Sequence, residues 1–249
     1  MKIIGMIPAR IGSQRVKKKN LRLLHKRPLI DYILEAASKV EIFDHIYLNS
    51  DDEIFAELCE PYGITYYKRP QKFATDTSTN DEFAEEFLSK IDCDILIQML
   101  PTSPFVVTKD INNFISYMLE DNFETLVSVE HKQIACVYES EPINFEKLIP
   151  NPPSQLMKPI KAYATALMGW KSEIFLKNMR KYGSAYHGGV SKTGFFELKG
   201  LSTIDIDSEE DFNLAESIMI SKSYPRVSKP EYYSEIQEHI EEDKNEEKE

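Results

Sequence analysis

Apolar residues along the first 130 positions follow two alternating rhythms. Short apolar runs of strand length fall at Lys2–Pro8, His45–Ser50, Ile64–Lys68, Asp94–Leu100 and Thr125–Val129. Between them, apolar residues recur every three or four positions, the spacing of one helix face. Pro28–Val40 reads as a helix with Leu29, Ile33, Leu34 and Ala37 on one side and Pro28 at its start. Asp51 is placed to cap a helix running to Glu60, stopped by Pro61-Tyr62-Gly63. Thr79–Lys90, with Phe83, Phe87 and Leu88 inward, and Lys109–Leu119 complete the set. The Asp94–Leu100 run is apolar enough for a central strand and ends at Pro101-Thr102-Ser103-Pro104.

Strand, helix, strand at this spacing predicts βαβ units, hence an α/β fold with a mainly parallel sheet flanked by helices. In such sheets ligands bind beyond the C-terminal ends of the strands. The loops 9–21, 49–52, 69–80 and 101–108 are therefore the ones to watch. From about Ser128 to Gly200 the rhythm blurs under Pro142, Pro150, Pro152, Pro153 and Pro159, with Gly183, Gly188, Gly189 and Gly194 following. That stretch, about 130–200, is expected to contain a small inserted lobe of short antiparallel strands, suited to sugar contacts or to a dimer partner. Ser202–Ile206 reads as a returning strand and Ser208–Ser221 as a helix with Phe212, Ala215 and Met219 on one face.

Composition narrows the classes. The 249 residues carry a net charge of −11, which argues against wholesale nucleic-acid binding. No apolar run reaches the roughly 20 residues of a membrane span. The first residues, broken at Pro8, do not read as a secretory leader, so the expectation is a soluble, cytoplasmic protein. Three widely spaced cysteines without a CxxC pair fit neither a disulfide framework nor a structural zinc site. Residues 234–249 hold eight acids and two bases, so 228–249 is expected to be an acidic, disordered or frayed tail after a 1–227 domain.

Charge runs the other way at the N-terminus. Arg10, Arg15, Lys17, Lys18, Lys19, Arg22, Lys26 and Arg27 lie in one stretch without an acid before Asp31. Placed after the first strand, this loop is a polyanion site or else a solvated basic face. Gly12 lets backbone approach an anion. Ser13 and loop N–H groups can donate to phosphate, and Arg10, Arg15 and Lys19 can neutralise a triphosphate. Neither GxxxxGK[ST] nor GxGxxG is present. Asp205 and Asp207, two apart at a strand end, share a face and offer hard oxygens to Mg²⁺. Equally, Asp207 or Ser208 can cap the following helix with Asp211 in support.

Four ordered motifs carry a resemblance. Ala9-Arg10, Ser13 and Lys19-Asn20-Leu21 are similar to the nucleotide-binding signature of the N-acylneuraminate cytidylyltransferases, the CMP-sugar synthetases. Arg69-Pro70 with Ala74-Thr75-Asp76-Thr77 resembles a second family motif, Pro101-Thr102-Ser103-Pro104 a third, and Ile204-Asp205-Ile206-Asp207 a fourth. Together they span roughly residues 3–220. There are departures. Leu100 stands where members place glutamine before Pro-Thr-Ser-Pro, and Gln98 lies two residues earlier. Lys161-Ala162-Tyr163-Ala164-Thr165-Ala166-Leu167 stands where the sialic acid enzymes carry Asn-Gly-Ala.

The resemblance implies a Rossmann-like fold of the nucleotide-diphospho-sugar transferase type and a Mg²⁺-dependent transfer of CMP from CTP to an acidic 2-keto-3-deoxy sugar. It implies roles for Asp205 and Asp207 as metal ligands, and for Arg10, Gly12, Ser13, Arg15, Lys19 and Asn20 on the phosphates. Asp207, Asp205, Arg10 and Lys19 would form the catalytic set. Arg69 and Asn80 would lie near the cytidine, and Lys161, Lys158 and Gln98 would meet the sugar. A homodimer is expected, with no nucleic-acid or membrane partner. Two other readings stand beside it: the same fold acting on an octulosonate or another sugar, and a catalytically lapsed nucleotide-sugar binding module.

Overall fold

Seven strands form one sheet in the computed structural model, which describes residues 1–13 and 15–224. The 228–249 tail expected from the sequence lies outside the described residues. The strands are β1 (Ile3–Ala9), β2 (His45–Ser50), β3 (Thr65–Lys68), β4 (Ile95–Met99), β5 (Thr125–Lys132), β6 (Ile160–Lys171) and β7 (Thr193–Glu197). Their spatial order is β7-β5-β6-β4-β1-β2-β3. β1 is central and buried at every position, as its unbroken apolar run requires. It pairs in parallel with β2 and β4, and β3 adds in parallel to β2. β7 is parallel to β5, whereas β6 runs antiparallel to both β4 and β5. The result is a mixed, mainly parallel sheet.

Helices cover both faces because the strands expose apolar side chains on both. Ile3 and Ile7 pack with α1 (Leu29–Ser38), α2 (Ile54–Cys59) and α4 (Thr108–Glu120), while Ile4 and Met6 face α3 (Asn80–Leu88) and α5 (Ser172–Tyr182). A third apolar group joins Val16 and Leu24 of the basic loop to Ile206, Phe212 and Ala215, the last two on α6 (Glu209–Ser223). None of the described helices is long and apolar enough to cross a membrane.

The expected elements of the first half are present, with ends displaced by one or two residues. The 130–200 stretch divides differently from its expectation. Ile160–Lys171 is an interior strand of the main sheet, Ser172–Tyr182 is a helix ended by Gly183 at φ +66°, and Thr193–Glu197 is the edge strand. Only 133–159 departs from the layers, with a hairpin of two-residue strands and one 3₁₀ turn. β6 is longer than the short antiparallel strands expected there and lies inside the main sheet, where small residues on it let neighbours approach. Gly169 is one cause: a Cβ there would sit 2.7 Å from Met118 Sδ, so the absent side chain is what lets α4 lie close.

Two further expectations are corrected. Residues 202–206 are not a strand: Gly200–Thr203 is a 3₁₀ turn, and Ile206 N donates one backbone bond, at 2.9 Å, to Thr102 O. The prolines on either side of Thr102-Ser103 lack the N–H a ladder needs. Asp51 does not cap α2; its Oδ1 accepts from Ile11 N at 3.2 Å, and Asp52 takes the Ile54 amide at 3.0 Å. The capping reading at the other end holds, with Ser208 and Asp211 forming a reciprocal box at the start of α6.

Candidate active site

The chain reverses its direction of travel across the sheet beside β1, where β2 and β3 lie to one side and β4 to the other. A cleft of about 530 Å³ opens there, beyond the C-terminal ends of the parallel strands. The loop after β1 supplies Arg10, Ser13, Arg15, Lys19 and Asn20. The loop after β3 and the start of α3 supply Arg69, Thr75, Asp76, Ser78, Asn80 and Phe83. β4 and its loop supply Gln98, Leu100, Pro101 and Thr102, and Tyr186 closes the far wall.

The basic loop is shaped from beneath. Val16 is fully buried among the apolar residues under α6, so the chain on either side of it turns outward. Lys18 takes up φ +50° ahead of a single 3₁₀ turn, Lys19–Leu21. That turn aims Lys19 Nζ at Asp207 Oδ1, 3.1 Å away, and at the carbonyl of Ile206. Arg15 Nη2 reaches the same Asp207 oxygen at 2.9 Å. Arg10 Nη1 pairs with Asp76 Oδ1 and Thr75 O, both at 2.9 Å. Three of the four cations lining the cleft therefore already hold acidic partners.

Arg69 is held differently. It is 4% exposed, with Nε on Asn49 Oδ1 and Nη2 on Asn49 O, each at 2.7 Å, and its guanidinium lies 4.3 Å from the Phe83 ring centre. Its nearest partners are neutral, and burial pushes its pKa down to about 10, with Asp51 opposing and Arg10 reinforcing the fall. A guanidinium so placed retains N–H donors for an acceptor in the cleft.

Four buried side-chain polar atoms among the described residues have no hydrogen-bond partner: Asn20 Oδ1, Asn80 Nδ2, Gln98 Oε1 and Asp205 Oδ1. Buried polar groups are normally paired, and an unpaired one costs about 1–3 kcal/mol. Three of these residues line the cleft, and the fourth, Asp205, is two residues from Asp207, which Lys19 of the lining holds. All four were singled out from the sequence. Their clustering marks a surface organised for a polar ligand.

Asp205 and Asp207 flank the fully buried Ile206, whose burial, worth roughly 1.5–3 kcal/mol, pins both. Burial raises the Asp205 pKa; the Thr102 side chain opposes this and the Asp207 charge adds to it. An orphaned carboxylate oxygen beside a second carboxylate fits Mg²⁺, which keeps waters and phosphate oxygens as its other ligands. Among the described residues no three His, Cys, Asp or Glu side chains cluster as a complete cage.

The structure does not bring every candidate here. Gly12 is absent from the lining, and a Cβ on it would meet nothing within 4 Å. Lys158 lies on the 133–159 excursion, its carbonyl accepting from Asn144 Nδ2 at 2.8 Å. Lys161, on β6, places Nζ 5.3 Å from the Phe195 ring centre, away from the cleft lining. Sequence reasoning missed Tyr186, placed Thr102 in a watched loop and motif without giving it a role, and read Phe83 as core. Tyr186 sits directly before His187-Gly188-Gly189, and nothing local in the sequence marks it.

The sequence profile described as cytidylyltransferase matches residues 4–167. An N-acylneuraminate cytidylyltransferase of Escherichia coli O18:K1:H7 is 28% identical over 263 residues, covering 98% of this chain and 58% of that protein. A CMP-N,N'-diacetyllegionaminic acid synthase of Legionella pneumophila is 34% identical over 111 residues, covering 42% of this chain and 48% of that one. The chain thus spans about half the length of the curated relatives it matches. In three dimensions, a CMP:2-keto-3-deoxy-manno-octonic acid synthetase complexed with CTP superposes with a TM-score of 0.69. The identity is 15%, and the match covers 89% of this chain and all of that one.

Proposed function

This chain belongs to the cytidylyltransferase family, and on that premise we propose that it transfers CMP from CTP to an acidic 2-keto-3-deoxy sugar, releasing pyrophosphate. The observation that carries the reading is the convergence of the basic loop and the unpartnered polar atoms on one cleft at the sheet's reversal point. The relatives' names support an acidic sugar, whether a nonulosonate or an octulosonate.

In this reading Lys19 and Arg15 leave Asp207 for the phosphates when the nucleotide enters, an exchange of one anion for another at short range. Arg10, Ser13 and Asn20 complete the phosphate contacts. Arg69, Asn80 and the amide of Gln98 face the base and sugar with both donors and acceptors. Asp207, freed of its two cations, and Asp205, with its unpartnered oxygen, would hold Mg²⁺. When bound, the ion supplies charge neutralisation of the leaving pyrophosphate and acidifies the sugar hydroxyl. The remainder of the catalysis is positioning: the chain holds the anomeric oxygen in line with the α-phosphorus and excludes water. The exposed apolar side chains of 133–159, such as Leu148 and Leu156, support a homodimer formed through that excursion.

The test is pyrophosphate release with each of the four nucleoside triphosphates against a panel of acidic sugars, with and without Mg²⁺. CTP-selective, Mg²⁺-dependent release with a 2-keto-3-deoxy acid is expected. Tight CTP binding without turnover of any acidic sugar would instead select the binding-module reading.

A further inference from the structure

Asp81 is the second residue of α3, directly after Asn80, and its carboxylate serves a distant loop. Asp81 Oδ1 accepts two backbone amides, Ala185 N at 2.6 Å and Tyr186 N at 2.7 Å. Two amides on one ionised oxygen make a strong, directional grip. The carbonyl of Tyr186 is also taken, by Trp170 Nε1 at 3.2 Å. Tyr186 is therefore held at its N–H by α3 and at its C=O by β6. Its ring lines the cleft and packs 6.0 Å from the Trp170 ring and 4.9 Å, edge to face, from His187.

The hydroxyl of this tyrosine is a donor throughout the neutral range. Burial, then the charges of Tyr163, Asp81 and Asp205, push its pKa up to about 12. One turn of α3 thus touches both walls of the cleft: Asn80 offers its amide from one side, and Asp81 grips the loop that forms the other.

We propose that Asp81 is a positioning residue for the acceptor sugar, holding Tyr186 on the cleft wall so that its phenol contacts the sugar acid as it approaches the nucleotide. The proposal rests on the cytidylyltransferase reading. It assigns a role to a residue outside the cleft lining that no motif in the sequence marks.

The sole tryptophan of the chain provides a direct reporter, because Trp170 bonds the Tyr186 carbonyl. The experiment compares wild type, Asp81→Ala, Asp81→Asn and Tyr186→Phe. It reads KM for CTP and for the sugar acid, CTP affinity by calorimetry, and Trp170 emission with acrylamide quenching. Asp81→Ala is expected to raise the sugar-acid KM about tenfold or more while CTP affinity stays within about twofold, since displacement by an ångström is costly only where geometry is used. Its Trp170 emission should shift to the red and quench more readily. Asp81→Asn keeps a carbonyl oxygen for both amides and should restore most of the KM and the emission. Tyr186→Phe should raise the sugar-acid KM and leave the emission unchanged. Unchanged sugar-acid KM in Asp81→Ala, or an equal loss of CTP affinity, overturns the proposal. Should Asp81→Ala not fold, unchanged KM in Tyr186→Phe overturns it. A wild type that releases no pyrophosphate from CTP with any acidic sugar removes the enzymatic premise instead, and Trp170 emission still reports whether Asp81 holds the loop.

Discussion

Asp207 accepts Arg15 at 2.9 Å and Lys19 at 3.1 Å, and the three charges differ in exposure: 70% for Arg15, 11% for Lys19 and 45% for Asp207. The exposed Arg15 contact is screened by water and contributes little to stability. Lys19, largely buried and bonded to the Ile206 carbonyl, is held at the cleft wall before any ligand arrives. Lys19→Ala is therefore expected to weaken CTP binding more than Arg15→Ala, by the roughly 1.5–3 kcal/mol of a charge-assisted phosphate contact, as calorimetry at fixed salt would measure. Similar binding by both variants would place the triphosphate elsewhere. Asp207→Ala should lower pyrophosphate release about 100-fold or more at saturating Mg²⁺ while leaving the melting temperature near wild type, since Asp207 is half exposed and outside the apolar groups. A rate within threefold or so of wild type would remove Asp207 from the machinery.

At the scale of elements, α3 owes its place to its cap. Thr79 Oγ1 accepts from Glu82 N at 3.2 Å, and Glu82 Oε2 accepts from Thr79 N at 2.7 Å. Those bonds lower the Glu82 pKa, the backbone amide contributing most. A carboxylate whose folded pKa is depressed contributes stability above its unfolded value, near 4.3, and loses it as pH falls through the lower folded value. The melting-temperature difference between wild type and Glu82→Ala should therefore be present at pH 7 and shrink below about pH 4. A constant difference across that range would mean that the cap carries no charge-assisted component. Gly169 tests packing between elements. Gly169→Ala drives a methyl against Met118, Ile97 and Phe114 at 2.7, 3.0 and 3.2 Å, and should destabilise by about 1–3 kcal/mol in urea titrations.

Across the whole molecule, two surfaces contrast. The cleft is charged and organised, whereas 133–159 exposes Ile134, Val137, Tyr138, Ile143, Leu148, Ile149 and Leu156, with Leu148 at 98%. Apolar surface of this extent suits a contact with another molecule, and a second copy is the occupant proposed. Light scattering should report a dimer for the wild type and a monomer for the pair Leu148→Glu and Leu156→Glu. A wild-type monomer at micromolar concentration would overturn that expectation.

The chain order of apolar runs already contained the parallel half of the sheet, because β1, β2, β3 and β4 are each set by local patterning and short connections. The cleft-lining residues Arg10, Ser13, Arg15, Lys19 and Asn20 were legible for a related reason: they follow a strand in one loop, and a site built from one loop leaves a contiguous trace. Asp205 and Asp207 were legible from spacing, although the strand assumed for them is a loop anchored through Thr102. Tertiary structure alone decided the rest. β6 takes an interior place because Gly169 and its alanines allow close approach, a property of its neighbours rather than of its own propensity. Arg69 is locked by Asn49, which is 20 positions earlier, and Tyr186 by Asp81, which is 105 positions earlier. No periodicity spans such separations. Contacts of that range exist only once the sheet has brought α3, β6 and the α5–β7 loop to one end of the molecule.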